Sequence, residues 1–180
     1  MARSNPKPEH SGSFPIREDR RVKFEVHVAG VCVRPTNDHW EVLIAQRTGE
    51  RHLYPGKWEC GGGRLNDGES FNDAIRRQAF EEFGIEVEPL ELLETYEIHV
   101  PGKKRVIAGL RFLCVASDGV VRLNEREFTS FKWVTFPVPS DLDWIDGVKR
   151  ILDDLETELL KRKAPDSQRG PASLNSRAVN

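Results

Sequence analysis

The stretch GGGRLNDGESFNDAIRRQAFEEFGI, from Gly61 to Ile85, decides how the rest of the chain is read. A run of three glycines leads into an acidic loop, then a helical pattern, then a glycine stop. Ser70 is placed to cap the helix, and Asp73 three residues later completes a capping-box pattern. Phe71, Ala74, Ile75, Ala79 and Phe83 recur at helical spacing and define one apolar face. Gly84 ends the helix because glycine tolerates the left-handed conformation. Arg77, Gln78, Glu81 and Glu82 fall on the other side, with positions 78, 81 and 82 one turn from each other.

Two adjacent glutamates on a helix, with Glu69 in the loop before it, concentrate hard oxygen donors of the kind that suit Mg2+ or Mn2+. An isolated Glu-Glu pair is ordinary surface charge. The glycines, the helix stop and the third carboxylate at fixed spacing set this pair apart.

The same stretch resembles the signature of the Nudix hydrolases, G-x5-E-x7-R-E-U-x-E-E-x-G-U, where U is bulky and apolar. Gly63, Glu69, Arg77, Glu81, Glu82, Gly84 and Ile85 occupy its fixed positions without a gap. Gln78 departs from it, standing where the family has glutamate, and Ala79 is smaller than the usual apolar residue. The approach GKWECGGG resembles the family's GxWxxPGG, with Cys60 and Gly61 replacing a residue and the proline.

Outward from this stretch the chain alternates strands and helices. Residues 22–34 are valine-rich and read as a strand, with His27 on its polar face. Trp40 to Arg47 forms a hairpin partner, and residues 48–60 form a loop that contains the core tryptophan Trp58. Glu86 to Pro89 reads as an exposed link, Leu90 to Val100 as a strand, Pro101 to Lys104 as a turn. Val106 to Ala116 is a near-continuous apolar run, expected as a buried strand, with Arg111 inside it. Residues 117–134 contain NEREFTSFKWV, where the resemblance implies a loop followed by a strand that carries Trp133. A last helix is expected from about Leu142 to Arg162, with a stripe running from Trp144 and Ile145 to Leu159 and Leu160. This order gives an α/β sandwich with a mixed sheet between two helices. The resemblance sharpens it to a Nudix-like α/β/α sandwich over about residues 22–162.

The 180 residues suit one domain, expected over residues 21–163, between a loose arm at 1–20 and a disordered Ser/Pro/Asn/Arg-rich tail at 164–180. A net charge of −2 leaves no nucleic-acid footprint at the level of the whole chain. No apolar run approaches the roughly 20 residues of a membrane span, and the N-terminus lacks a secretory apolar region. Three cysteines without metal-type pair spacing fit a reducing compartment, so a cytoplasmic location is expected. No stretch decides oligomeric state; the resemblance allows a homodimer.

The resemblance implies a Mg2+- or Mn2+-dependent hydrolase of a nucleoside diphosphate linked to another group, a small-molecule phosphoanhydride. Glu81 and Glu82 are expected to ligate the metal directly, Glu69 to act through water or orient the site, and Arg77 to hold Glu81 or Glu69 by an ion pair. The Gly62 carbonyl is a further candidate ligand by resemblance. Glu127, in the loop six residues before Trp133, is the candidate that completes the metal site or serves as base. Arg47 is placed to touch a phosphate, while Lys57 and Arg64 flank the glycines and are candidates to meet anionic oxygens. Arg111 is the candidate for phosphate or base within a pocket. Gln78 brings no negative charge and takes no proton, so a second class stands beside the enzyme: a Nudix-fold module that binds a nucleotide or nucleotide-sugar with catalysis weakened. The substrate itself is not named by the sequence.

Overall fold

The computed structural model describes residues 25–36, 39–102 and 104–161. The expected arm and tail, and the ends of the expected domain at 21–24 and 162–163, lie outside these residues. Seven strands and two helices follow in order: β1 (Val26–Pro35), β2 (Trp40–Arg47), β3 (Trp58–Glu59), β4 (Gly63–Arg64), α1 (Phe71–Phe83), β5 (Val87–His99), β6 (Val106–Ala116), β7 (Phe128–Thr135) and α2 (Val148–Lys161). They build one mixed sheet with the path β3-β2-β1-β6-β5. β4 pairs with β1, and β7 pairs with β2. The parallel β1–β6 pair lies at its centre, and the other pairs are antiparallel.

Alternation along β1 sends side chains to the two faces of the sheet. Val31 and Val33 meet Ile151, Leu152, Leu155 and Leu159 of α2. Val28 and Cys32 face the other way, onto Ala74, Ile75, Ala79 and Phe83 of α1. The fold is therefore the expected α/β/α sandwich. Trp58 is buried in the α2-side core.

The helix that carries the signature is delimited locally. Ser70 Oγ accepts from the Asp73 backbone N–H at 3.1 Å and donates to Asp73 Oδ2 at 2.7 Å. Gly84 has φ 65°, and its N–H donates to the Phe80 carbonyl. Phe71 is the exception on the apolar face: it is exposed, tilted against Phe112 with ring centroids 6.4 Å apart.

Three expectations are corrected. The link at 86–89 belongs to β5, because Val87, Glu88 and Pro89 pair with Ala116, Val115 and Cys114 of β6. The last helix starts at Val148 rather than near Leu142. Its expected first turn is drawn to β3 instead: Trp58 N–H donates to the Asp143 carbonyl, Ile145 N–H donates to the Trp58 carbonyl, and Gly147 turns the chain with φ 85°. Leu160, expected in the apolar stripe, is 79% exposed. Among the described residues no helix is long and apolar enough to cross a membrane.

Candidate active site

The glycine run closes the gap between the sheet and α1. Gly61 has φ 87° and Gly62 φ 139°, conformations that side chains rarely adopt. Space demands glycine as well. A Cβ on Gly61 would lie 2.5 Å from Glu82 Oε2 and 2.6 Å from the Phe83 ring, and one on Gly62 would lie 2.5 Å from the Val28 carbonyl. The backbone therefore sits directly on Glu82, and the Gly62 N–H donates to Glu82 Oε2 at 2.9 Å.

Glu82 is buried. Burial pushes its carboxyl well above the usual range, the nearby charges of Glu59 and Glu127 add to the push, and the Gly62 N–H opposes it. Glu59, on β3, did not stand out in the sequence. Alternation on the two-residue strand buries Trp58 in the core and leaves Glu59 to pair with Arg47. Glu127, in the turn just before β7, pairs with Arg51 at 3.4 Å.

Arg77 organises the other carboxylates. It binds Glu69 with two hydrogen bonds, reaches Glu81 Oε2 at 3.1 Å, and donates to the Arg64 carbonyl at 3.0 Å. Arg77 and the Asn66 N–H hold the Glu69 carboxyl down at about 2. Gln78 sits against the glycine run: a Cβ on Gly63 would overlap its amide, and it lines a small recess with Gly61, Gly62 and Glu82.

Beside the glycine run, on the α2 face of the sheet, lies a cavity of about 370 Å³. Arg47, Arg51, Arg64, Arg111 and Arg150 all line it, together with apolar surface from Leu53, Tyr54, Ile98, Ile107, Ile145 and Val148. Arg47 and Arg111 are buried; Arg47 pairs with Glu59 and Arg111 with Glu94. Lys57 goes elsewhere. Its ammonium donates to Asp143 at 3.0 Å and to the Trp144 carbonyl at 3.1 Å, and it is not among the residues that line the cavity. The residues that redirected the start of α2 also capture this lysine.

Two further cavity residues were missed by the sequence. His27 is not on a wet polar face: its Nδ1 lies 2.6 Å from the Tyr96 hydroxyl. Burial, then the charges of Arg111 and Arg47, lower its pKa to about 4 against a smaller opposing bond to the Gly62 backbone, so the ring is neutral at pH 7. Burial likewise raises the Tyr96 phenol. Cys60 is buried and its thiol is pushed up to about 12, mainly by burial, which leaves it protonated and unsuited to nucleophilic chemistry.

The model for the NUDIX domain matches residues 25–155. The chain belongs to the Nudix family. Nucleoside triphosphatase NudI of Escherichia coli O17:K52:H18 (strain UMN026 / ExPEC) is 31% identical over 121 residues, covering 62% of this chain and 82% of that protein. Among solved structures, a Caenorhabditis elegans Ap4A hydrolase in a binary complex has a TM-score of 0.62 at 20% identity, covering 76% of this chain and 98% of that one. The NUDIX domain of Shewanella oneidensis NrtR, complexed with ADP ribose, has a TM-score of 0.61 at 15% identity, covering 76% and 89%. These two share the fold. As a Nudix hydrolase the chain is an enzyme, a pyrophosphohydrolase that acts on acid anhydrides.

Nudix hydrolases use a divalent metal, and the donors here fit one in charge and hardness. Burial, and then Glu59 and Glu127, disfavour the Glu82 carboxyl as an anion, and a bound cation would supply the missing countercharge. The five expected ligands are not, however, assembled around a point. Among the described residues no group of three or more His, Cys, Asp and Glu is arranged to hold a metal. Glu69 and Glu81 are both engaged by Arg77, while Glu82 faces Gly62.

Proposed function

We propose that this Nudix enzyme hydrolyses a nucleoside triphosphate or a nucleoside diphosphate linked to another group, with Mg2+ or Mn2+. One observation carries the reading: an arginine-lined cavity of about 370 Å³ is walled by Glu59 and by Gly61 and Gly62, the glycines that pack on buried Glu82. The arginines suit a polyphosphate, and the apolar surface of Leu53, Tyr54 and Ile145 suits a flat base. The nucleoside triphosphatase activity named for the E. coli relative supports the same substrate class.

In this reading Glu82 and Glu127 would hold the cation, with Glu81 and the Gly62 carbonyl as further oxygen donors. A bound cation would neutralise phosphate charge and lower the pKa of a water. Arg47, Arg51, Arg64 and Arg111 bind and orient the phosphoanhydride. Glu127 Oε2, partly exposed and beside Arg51, takes the proton from the attacking water. Arg77 and Glu69 fix the loop below the helix. The three free thiols, all buried, support a reducing, cytoplasmic setting.

The test is a turnover screen of the purified protein with each cation against nucleoside triphosphates, ADP-ribose, sugar nucleotides and dinucleoside polyphosphates, with products separated by chromatography. Cleavage at a phosphoanhydride bond is expected. Absence of cleavage across the panel, with each nucleotide failing to raise Tm, overturns the proposal.

A further inference from the structure

His27 and Tyr96 lie on the cavity wall and have no task in the scheme above. They come from β1 and β5, which are separated in the sheet by β6. Gly109 of β6 stands opposite both in register. A Cβ at Gly109 would overlap the Tyr96 ring, so the absent side chain lets the ring lie across β6 and reach His27. The Arg111 guanidinium lies 4.5 Å from the Tyr96 ring centroid, and Glu94 holds Arg111 in turn. Tyr96 is thus fixed from two sides with its hydroxyl aimed at His27 Nδ1.

His27 also reaches the glycine run. It pairs in register with Arg64, one strand position from the Val28–Gly63 pair. Its ring and Gly62 line the same cavity, and the Gly62 backbone raises the ring's pKa against the larger lowering by burial. Nδ1 is occupied by Tyr96, so Nε2 is the ring nitrogen left for the Gly62 backbone. The Gly62 N–H is committed to Glu82, which leaves the Gly62 carbonyl to accept. These contacts align in one path: the Tyr96 hydroxyl against His27 Nδ1, the His27 ring on the cavity wall it shares with Gly62, and the Gly62 N–H donating to Glu82.

We propose that His27 and Tyr96 are positioning residues for the hydrolytic site, acting through Gly62 to hold its carbonyl and the Glu82 carboxyl in working orientation. The inference rests on the proposed hydrolase reading. Partners of this kind orient the groups that bind a cation, and their loss costs about 10–100-fold in affinity or activity.

The test uses the full chain with Tyr96→Phe, His27→Phe, His27→Gln and the Tyr96→Phe/His27→Phe double variant. Three quantities are measured: amide hydrogen exchange at Gly62 without metal, the Kd for Mn2+, and kcat and KM on the best substrate of the screen. Tyr96→Phe and His27→Phe are expected to speed Gly62 exchange and weaken Mn2+ binding by about tenfold or more, and to lower kcat similarly with KM within about twofold. The double variant is expected to lose no more than the worse single variant, because both residues act on one path. His27→Gln retains an acceptor and a donor and is expected to recover most of the loss.

Unchanged Gly62 exchange in Tyr96→Phe overturns the proposal. So do additive losses, or a rise in KM at constant kcat, which would make these residues substrate contacts. Should His27→Phe not fold, Tyr96→Phe, which removes one oxygen atom, decides alone. An inactive wild type would defeat the hydrolase reading, while Gly62 exchange would still report on the path.

Discussion

Arg77 grips Glu69 with two parallel hydrogen bonds, Nε to Oε1 at 2.7 Å and Nη2 to Oε2 at 2.8 Å. The same guanidinium reaches Glu81 and the Arg64 carbonyl, so one side chain ties the acidic loop, the helix and the end of the glycine run together. A lysine carries the charge but not the planar fork. Arg77→Lys is expected to lower kcat by about 10–100-fold while leaving the fold intact. Steady-state kinetics beside a circular dichroism melt check this; an unchanged kcat would mean that the clamp only decorates the loop.

Gln78 lies against Gly63 and beside Glu82. Gln78→Glu adds a carboxylate to a place where Glu82, Glu59 and Glu127 already repel each other. Without metal the variant is expected to melt below wild type. With Mn2+ the order is expected to shift the other way, with a lower Kd by calorimetry. Equal metal affinity would show that position 78 does not feel the cation.

Gly61→Ala meets both a positive φ and a Cβ site 2.5 Å from Glu82 Oε2. Strain of this kind costs of order 1–3 kcal/mol before any steric overlap is counted. The expected result is a destabilisation of more than about 2 kcal/mol in urea unfolding. A neutral substitution would contradict the close approach.

His27 gives a signed pH effect on stability. Its folded pKa of about 4 lies below the ordinary histidine value of 6.5, so the unfolded chain binds the proton more readily. Stability from this residue is full above pH 6.5 and is lost as pH falls through 4. The difference in pKa corresponds to at most about 3 kcal/mol. His27→Gln does not titrate, so its stability is expected to fall less than that of wild type between pH 6.5 and 4, measured by urea unfolding at each pH. Parallel pH curves would contradict the burial of a neutral ring.

What was legible in the sequence was written locally. Ser70, Asp73 and Gly84 mark the ends of α1 by their own chemistry, and the apolar runs Trp40–Arg47 and Val106–Ala116 mark β2 and β6. What was not legible depends on partners distant in the chain. Residues 143–145 carry a helical pattern, but their backbone pairs with Trp58. Lys57 stands beside the glycines in sequence yet is held by Asp143. Glu59, His27 and Tyr96 acquire meaning only because β3, β1 and β5 converge on one cavity. The resemblance placed Arg77 in an ion pair with Glu81 or Glu69, but not with both at once while Glu82 faces Gly62.

The central claim is that a buried carboxyl at position 82 serves metal-dependent cleavage of a phosphoanhydride. The most direct measurement is kcat of Glu82→Gln against wild type, on the best nucleotide of the screen at saturating Mg2+, with folding verified by its melt. Glutamine keeps the shape and an acceptor for the Gly62 N–H but removes the charge. A loss of kcat of about 100-fold or more in a folded variant is the predicted result. Turnover equal to wild type would contradict the account and place the chemistry elsewhere.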